Sequence, residues 1–300
     1  MAITAQDVKA LRERTGAGMM DCKRALTEND GDMDAAIRYL EEKGIANAKK
    51  KSGRVAAEGL VRVWANADST EAVVVEVNSE TDFVSRNEQF QEFTTQVTDA
   101  IGVSGITSND EIGDVAVGSQ TVAALTTETI AALGENLSVR RFARLSSPEG
   151  IVGTYVHAGD QLAVLVETKL GAGADRDAVE NFARDVAMHI AAMNPPYLHA
   201  SDIPQAEREA QEALFSAQMA EEGKPAAMIP KIVLGKIKKW EADVSLLGQP
   251  FVKDTDLTIA EYQKSVPGAE LVGFVRFQVG EGIEKNEVDF AAEVAEQLKG

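Results

Sequence analysis

Val73-Val74-Val75-Glu76-Val77-Asn78-Ser79-Glu80-Thr81-Asp82-Phe83-Val84-Ser85-Arg86-Asn87 changes character halfway along its length. The β-branched run from Val73 to Val77 predicts a buried strand. Ser79, Thr81 and Asp82 are helix N-cap residue types, and a helical pattern follows from Phe90. Asp82 and Phe83 therefore fall at a strand-to-helix corner, where two readings stand side by side. In one, Asp82 is an N-cap and Phe83 a hydrophobic staple onto the following helix. In the other, charge and aromatic area project from a rigid frame to meet another macromolecule.

Working outward, the stretch turns out to be one of two copies. Glu58-Gly59-Leu60-Val61, then Ala72-Val73-Val74-Val75-Glu76, then a helix with Phe90, Phe93, Val97 and Ile101 make the first. Glu149-Gly150-Ile151-Val152, then Ala163-Val164-Leu165-Val166-Glu167, then a helix with Val179, Phe182, Val186, Ile190 and Met193 make the second. Both strand pairs match at an offset of 91 residues. That implies two duplicated subdomains, each an antiparallel β-hairpin with a helix. The second copy supplies Asp175 as a cap but only Lys169-Leu170-Gly171-Ala172-Gly173 where the first has Thr-Asp-Phe-Val. Capping accounts for Asp82 and leaves Phe83 unexplained, which favours recognition.

Around the copies, residues 4–43 read as a three-helix unit. Thr4 caps the first helix, Thr15-Gly16-Ala17-Gly18 turns the chain, and Met19 or Met20 joins Cys22, Ala25 and Leu26 on the inner face of the second. Asp32 caps a third helix with Met33, Ala36, Ile37 and Leu40 at helical spacing, closed by Gly44. Lys49 to Arg54 then reads as a basic linker. Val122, Leu125, Thr129 and Leu133 mark a helix, and Leu137, Val139, Ala143 and Leu145 alternate as a strand. From Pro204 to Trp240 the pattern is a helical hairpin, with Ala210, Leu214 and Ala217 on one face of its first helix and Ile229, Val233, Ile237 and Trp240 on its second. Residues 271–279 read as a strand returning to the second copy, and Phe290, Ala291, Val294 and Leu298 as a closing amphipathic helix. The expected class is α+β, divided into 1–55 (three helices and linker), 56–148, 149–200, 201–243 (hairpin arm), 244–280 (return strand) and a C-terminal module 281–300. Residues 102–120, rich in Gly, Ser and Asp, carry no clear pattern.

Thirty Lys and Arg against 48 Asp and Glu give a formal charge of −18. Affinity for nucleic acid depends on cations that release phosphate counterions, so no direct nucleic-acid binding is expected. A single cysteine excludes an intramolecular disulfide framework. With no signal-peptide pattern at the start and no apolar run of bilayer length, a cytoplasmic protein off the membrane is expected. Asp30, Asp32, Asp34 and Glu41 occupy calcium-loop spacings, but Ala35 stands where the turn glycine belongs, so an EF-hand is rejected. No Walker loop occurs, and Gly280-Glu281-Gly282 reads as a turn. His189 falls in a helical repeat as a packing residue, and His157 at an exposed hairpin tip; neither has a partner for metal or nucleophilic chemistry. No enzyme activity, cofactor or resident metal is expected.

Two long segments carry a family resemblance. Leu11-Arg12-Glu13-Arg14-Thr15-Gly16-Ala17-Gly18-Met19-Met20-Asp21-Cys22-Lys23-Arg24-Ala25-Leu26 and Glu76-Val77-Asn78-Ser79-Glu80-Thr81-Asp82-Phe83-Val84 closely resemble the two signatures of bacterial translation elongation factor Ts. Gly134-Glu135-Asn136, residues 244–252 and residues 280–285 resemble that family in its order. The resemblance implies a guanine-nucleotide exchange factor for elongation factor Tu, in its GDP-bound and nucleotide-free forms, with a ubiquitin-associated-like N-terminal unit. By resemblance, Thr81, Asp82, Phe83 and Val84 intrude near the partner's Mg²⁺ and displace it, Phe83 wedging between helices while Asp82 perturbs the metal and switch region. Arg12, Met19, Met20 and Lys23 match contacts with the partner's G domain, Lys51 a further contact, and His157 a contact with its third domain. The arm offers a route to self-association, but Pro230 would break its second helix unless the helix starts there. An adaptor that binds without accelerating exchange is the competing class; Asp82-Phe83 is the feature it would not require.

Overall fold

The computed structural model describes residues 3–284, and the closing helix expected around Phe290 to Leu298 lies outside them. α1 (Ala5–Thr15) opens with Thr4 and Asp7 in a reciprocal capping box. α2 (Met19–Glu28) and α3 (Met33–Lys51) follow, the latter capped by the Asp32 carboxylate on the N–H groups of Asp34 and Ala35, each at 2.9 Å. Val8, Leu11, Cys22, Ala25, Leu26 and Ala36 form a small buried core, and burial pushes the Cys22 thiol up from its ordinary range. Two expectations are corrected here. Gly44 does not close the third helix, and Lys49 to Lys51 are its last turn rather than a linker. The reason is tertiary: a Cβ at Gly44 would lie 3.3 Å from the Cβ of Ala131, so glycine lets the helix continue against the body of the protein, where Ala48 joins the core. Cations in a last turn also suit the helix dipole.

β1 (Glu58–Ala65) and β2 (Glu71–Ser79) form the first hairpin, followed by one helical turn, α4 (Asp82–Ser85), and by α5 (Glu88–Ser104). The patternless stretch is ordered. A 3₁₀ segment over Asn109–Asp114 buries Ile112, and β3 (Ala116–Val117) pairs with β4 (Gln120–Thr121) ahead of α6 (Val122–Leu133). β5 (Leu137–Ser146) returns beside β2. The second half repeats this with β6 (Gly150–Val156), β7 (Leu162–Leu170) and α7 (Arg176–Met193). The arm is α8 (Gln205–Glu221) and α9 (Ile229–Val244). A small ribbon, β8 (Pro250–Phe251) with β9 (Asp254–Thr258), then α10 (Ile259–Ser265) and β10 (Ala269–Gln278) are the last elements among the described residues. The sheets run β1-β2-β5 and β6-β7-β10, all antiparallel, in an α+β architecture.

The two sheets pack face to face. Ala72 and Val74 of β2 meet Ala163 and Leu165 of β7, while Val73, Val75 and Val77 face α5 and α6, and Val164 and Val166 face α7. A strand covered on both sides needs apolar residues at every position, which explains the unbroken β-branched run. Register follows the 91-residue offset: Gly59 pairs with Asn78 and Gly150 with Lys169, Leu60 with Val77 and Ile151 with Thr168. The ladder shifts at equivalent places, after Glu76 in one sheet and beside Glu167 in the other. A Cβ at Gly59 would sit 2.1 Å from the Val77 carbonyl oxygen, and one at Gly150 would sit 1.8 Å from that of Thr168. Across the interface the exchange is reciprocal: Val61 N–H donates to the Asp160 carbonyl at 2.8 Å and Val152 N–H to that of Ser69 at 2.6 Å.

In the arm, Met219, Val233 and Ile237 are buried against Phe215 and Trp240. The expected face of its first helix is corrected, since Ala210, Leu214 and Ala217 are exposed. α8 carries two apolar stripes, and α9 covers the one with the larger side chains, Phe215 and Met219. Pro230 sits in the first turn of α9, where its missing N–H removes no helical bond.

Candidate functional site

The corner after β2 is built in two steps. Thr81 is the N-cap of α4, its hydroxyl accepting from Val84 N–H at 3.4 Å, and Asn87 caps α5 by accepting from Gln89 N–H at 2.8 Å. Asp82 is therefore not the cap. It is the first helical residue, with its charge in the favourable first turn and its carboxylate 2.8 Å from the Arg86 guanidinium. Val84 packs on the first core. Phe83 is not a staple: it is 80% exposed. Every other phenylalanine among the described residues is buried or half-buried. A solvated phenyl forgoes roughly 1.5–3 kcal/mol of burial, so its position is costly unless something covers it.

The next strand lends the corner its rigidity. The β2–β5 ladder ends at Ser79 opposite Leu137. Beyond it, side chains extend the register. Glu135 accepts from Thr81 N–H at 3.0 Å and from the Thr81 hydroxyl at 2.7 Å. Glu80 accepts from Asn136 N–H at 2.6 Å, and the Asn136 amide donates to the Arg54 carbonyl at 2.8 Å. The Arg54 guanidinium lies 3.5 Å from Glu80. Sequence reading missed this clamp; the signal was the pair of acids flanking two segments that pair in the sheet.

The other anticipated residues lie on α1, α2, the end of α3 and the β6–β7 turn. Met19 and Met20 begin α2 and point outward, 49% and 69% exposed, so neither joins the small core. Arg12 of α1 and Lys23 of α2 are exposed as well. The turn between α1 and α2 lies against the start of α5: a Cβ at Gly16 would lie 3.6 Å from the Gln89 side chain. Lys51 ends α3 one turn before Arg54, whose N–H donates to its carbonyl at 2.8 Å. His157 is exposed in the β6–β7 turn, its Nδ1 3.0 Å from the Tyr155 hydroxyl. That turn reaches β1 at Val61 and, through Gln161 Nε2, the Gly59 carbonyl at 2.7 Å.

Deeper in, two titratable groups brace the frame. Glu76 is fully buried in β2, held by Arg140 at 3.0 Å, Arg141 at 2.5 Å, Gly280 N–H at 2.8 Å and the Asn78 amide at 3.1 Å. Burial pushes its carboxyl up, but the bonds from Gly280, Arg141 and Asn78 outweigh that and hold it below its ordinary value. His189 is a buried structural residue. Gln249 Nε2 donates to the Asp243 carbonyl at 2.7 Å, which turns Gln249 Oε1 towards His189 Nε2 at 3.0 Å; Nδ1 then accepts from Val252 N–H at 3.3 Å. Burial drives its pKa down, with the Gln249 bond opposing, and the bond accepted at Nδ1 from Val252 requires the neutral ring. Among the described residues no cluster of three or more His, Cys, Asp or Glu is placed to hold a metal ion, and no helix is long and apolar enough to cross a membrane.

The family described as elongation factor TS matches residues 80–281. The chain is 46% identical to elongation factor Ts of Clostridium perfringens over 299 residues, covering 98% of each chain. It is also 46% identical to elongation factor Ts of Nitratiruptor sp. over 309 residues and to that of Brucella anthropi over 310, each covering 100% of both chains.

Proposed function

This chain belongs to the elongation factor Ts family and is a translation elongation factor, and we propose that it is the guanine-nucleotide exchange factor of elongation factor Tu. It binds the GDP form, displaces the Mg²⁺ and stabilises the nucleotide-free GTPase. The observation that carries the reading is Phe83, 80% exposed on a corner held from two sides. Burying that ring in a partner releases roughly 1.5–3 kcal/mol. Each tenfold in release rate needs about 1.4 kcal/mol, so the wedge can supply one to two decades. Because coupling is reciprocal, a surface that weakens GDP must itself bind better when GDP is absent. In this proposal Thr81 and Val84 fix the turn, Phe83 enters between helices and Asp82 disturbs the metal and switch region. Removing the metal then takes away the charge that holds the diphosphate.

Arg12, Met19, Met20 and Lys23 form the neighbouring contact with the G domain, the thioethers adapting to its shape. Lys51 adds a cation, and His157 meets the third domain. The division into N-terminal unit, two-part core, arm and C-terminal module belongs to the same proposal, as does a cytoplasmic location. So does self-association through the arm, where Leu214 and Leu234 are 50% and 57% exposed. The test is release of a fluorescent GDP from elongation factor Tu. Wild type accelerates it, and Phe83→Ala loses at least tenfold of the acceleration; binding without acceleration by wild type would leave an adaptor instead.

A further inference from the structure

We infer that Glu135 is a positioning residue for exchange, acting through the hydrogen bonds by which its carboxylate holds Thr81, and so Phe83, at the projecting corner. The inference rests on the exchange reading above and adds a residue with no exposed contact role of its own. Thr81 is the N-cap of a helix of only four residues, Asp82–Ser85. One helical turn is too short to be stable by itself, since nucleation outweighs its few backbone bonds. Its geometry must come from elsewhere, and one carboxylate fixes the N–H and the hydroxyl of the cap residue at 3.0 and 2.7 Å. Charge-assisted bonds are the stronger class, and a two-point grip sets orientation as well as distance.

Glu80 and Asn136 complete the arrangement from the opposite strand, so residues 80 and 81 are each tied to their register partners 136 and 135. The duplicated exit after β7 does without this: Gly171 N–H donates directly to the Gly268 carbonyl at 2.7 Å. Of these two exits, the one with the carboxylate clamp is the one that an exposed phenylalanine follows.

Two measurements test the inference. In the free protein, amide hydrogen exchange at Thr81 and Val84 quickens at least tenfold in Glu135→Ala. It stays near wild type in Glu135→Gln, whose amide can accept from the N–H and donate to the hydroxyl. In fluorescent-GDP release, Glu135→Ala lowers the maximal rate at least tenfold, with its half-saturating concentration within threefold and its thermal unfolding little changed. Glu135→Gln restores most of the rate, and in a Phe83→Ala background Glu135→Ala has no further effect. Additive losses, failure of the glutamine variant, unchanged amide exchange, or a shift confined to half-saturation would each overturn the positioning role. Wild type failing to accelerate release defeats the exchange reading instead, whereas wild type active with Glu135→Ala equally active defeats this inference alone.

Discussion

The two exits from the paired strands, after β2 and after β7, start from the same place and end differently. Up to Ser79 and Leu170 the copies agree in register, in ladder shift and in the glycine that lets the hairpin strands approach. One residue later they diverge. The second copy closes by backbone, Gly171 to Gly268, and goes directly to the Asp175 cap of α7. The first inserts a helical turn pinned by Glu135 and Glu80 and leaves Phe83 in solvent. A duplicated scaffold thus carries one plain exit and one specialised one, and the difference lies in side chains just past the ladder.

The shared part should respond alike in both copies, with the largest effects. Gly59→Ala and Gly150→Ala each force a Cβ against a strand carbonyl, and each should lower unfolding stability by about 3 kcal/mol or more in urea titrations. A loss at one site only would break the equivalence. Next, Glu76 and Glu167 are matched by the offset, but Glu76 is fully buried between two arginines and Glu167 half-buried. Glu76→Gln should cost about 3 kcal/mol because it removes the buried charge to which Arg140, Arg141 and the Gly280 N–H are bonded, and Glu167→Gln under about 0.5 kcal/mol. Since the folded Glu76 carboxyl is held below its ordinary value of 4.5, its contribution is complete above that pH and disappears as pH falls through the lower folded value. Acid unfolding of Glu76→Gln should accordingly be less steep below pH 4.5 than that of wild type.

A smaller, one-sided effect is expected near neutrality. His189 lies in the second copy, where burial holds its pKa below the ordinary value of 6.5. The unfolded chain takes up the proton first, so its stabilisation is present above pH 6.5 and declines as pH drops from there towards the folded value. Amide protection around Val252 should weaken over that interval while the first sheet stays unchanged; equal weakening of both halves would deny the local origin. The smallest effect on stability belongs to the exposed ring: Phe83→Ala should change the melting free energy by less than about 0.5 kcal/mol, against about 3–5 for Phe90→Ala in the core beneath it. Scanning calorimetry on the two variants separates a partner residue from a packing residue.

Much of this was readable from the chain. Strands buried on both faces, the repeat at 91 residues, Thr4, Asp32 and Asp175 as caps, and His189 as packing all follow from periodicity and residue type. The misreadings share a cause. Gly44 looked like a helix end because glycine commonly is one, yet contact with Ala131 made it a point of close approach. In α8 two stripes satisfied the same spacing, and only the position of α9 selected Phe215 and Met219. Asp82 and Thr81 are both cap types, and backbone geometry assigned the role to Thr81.

By itself the sequence determined the local elements, the duplication and the segments that mark the family, because helical and strand periods and capping act within a few residues. The tertiary structure alone decided that Glu135 reaches back 54 residues to Thr81, that Glu76 meets Gly280 across 204, and that the turn bearing His157 reaches Val61 of β1 through the Asp160 carbonyl. Such pairings depend on which surfaces come together, and a hydrogen bond forms only where register and packing bring donor and acceptor within about 3 Å.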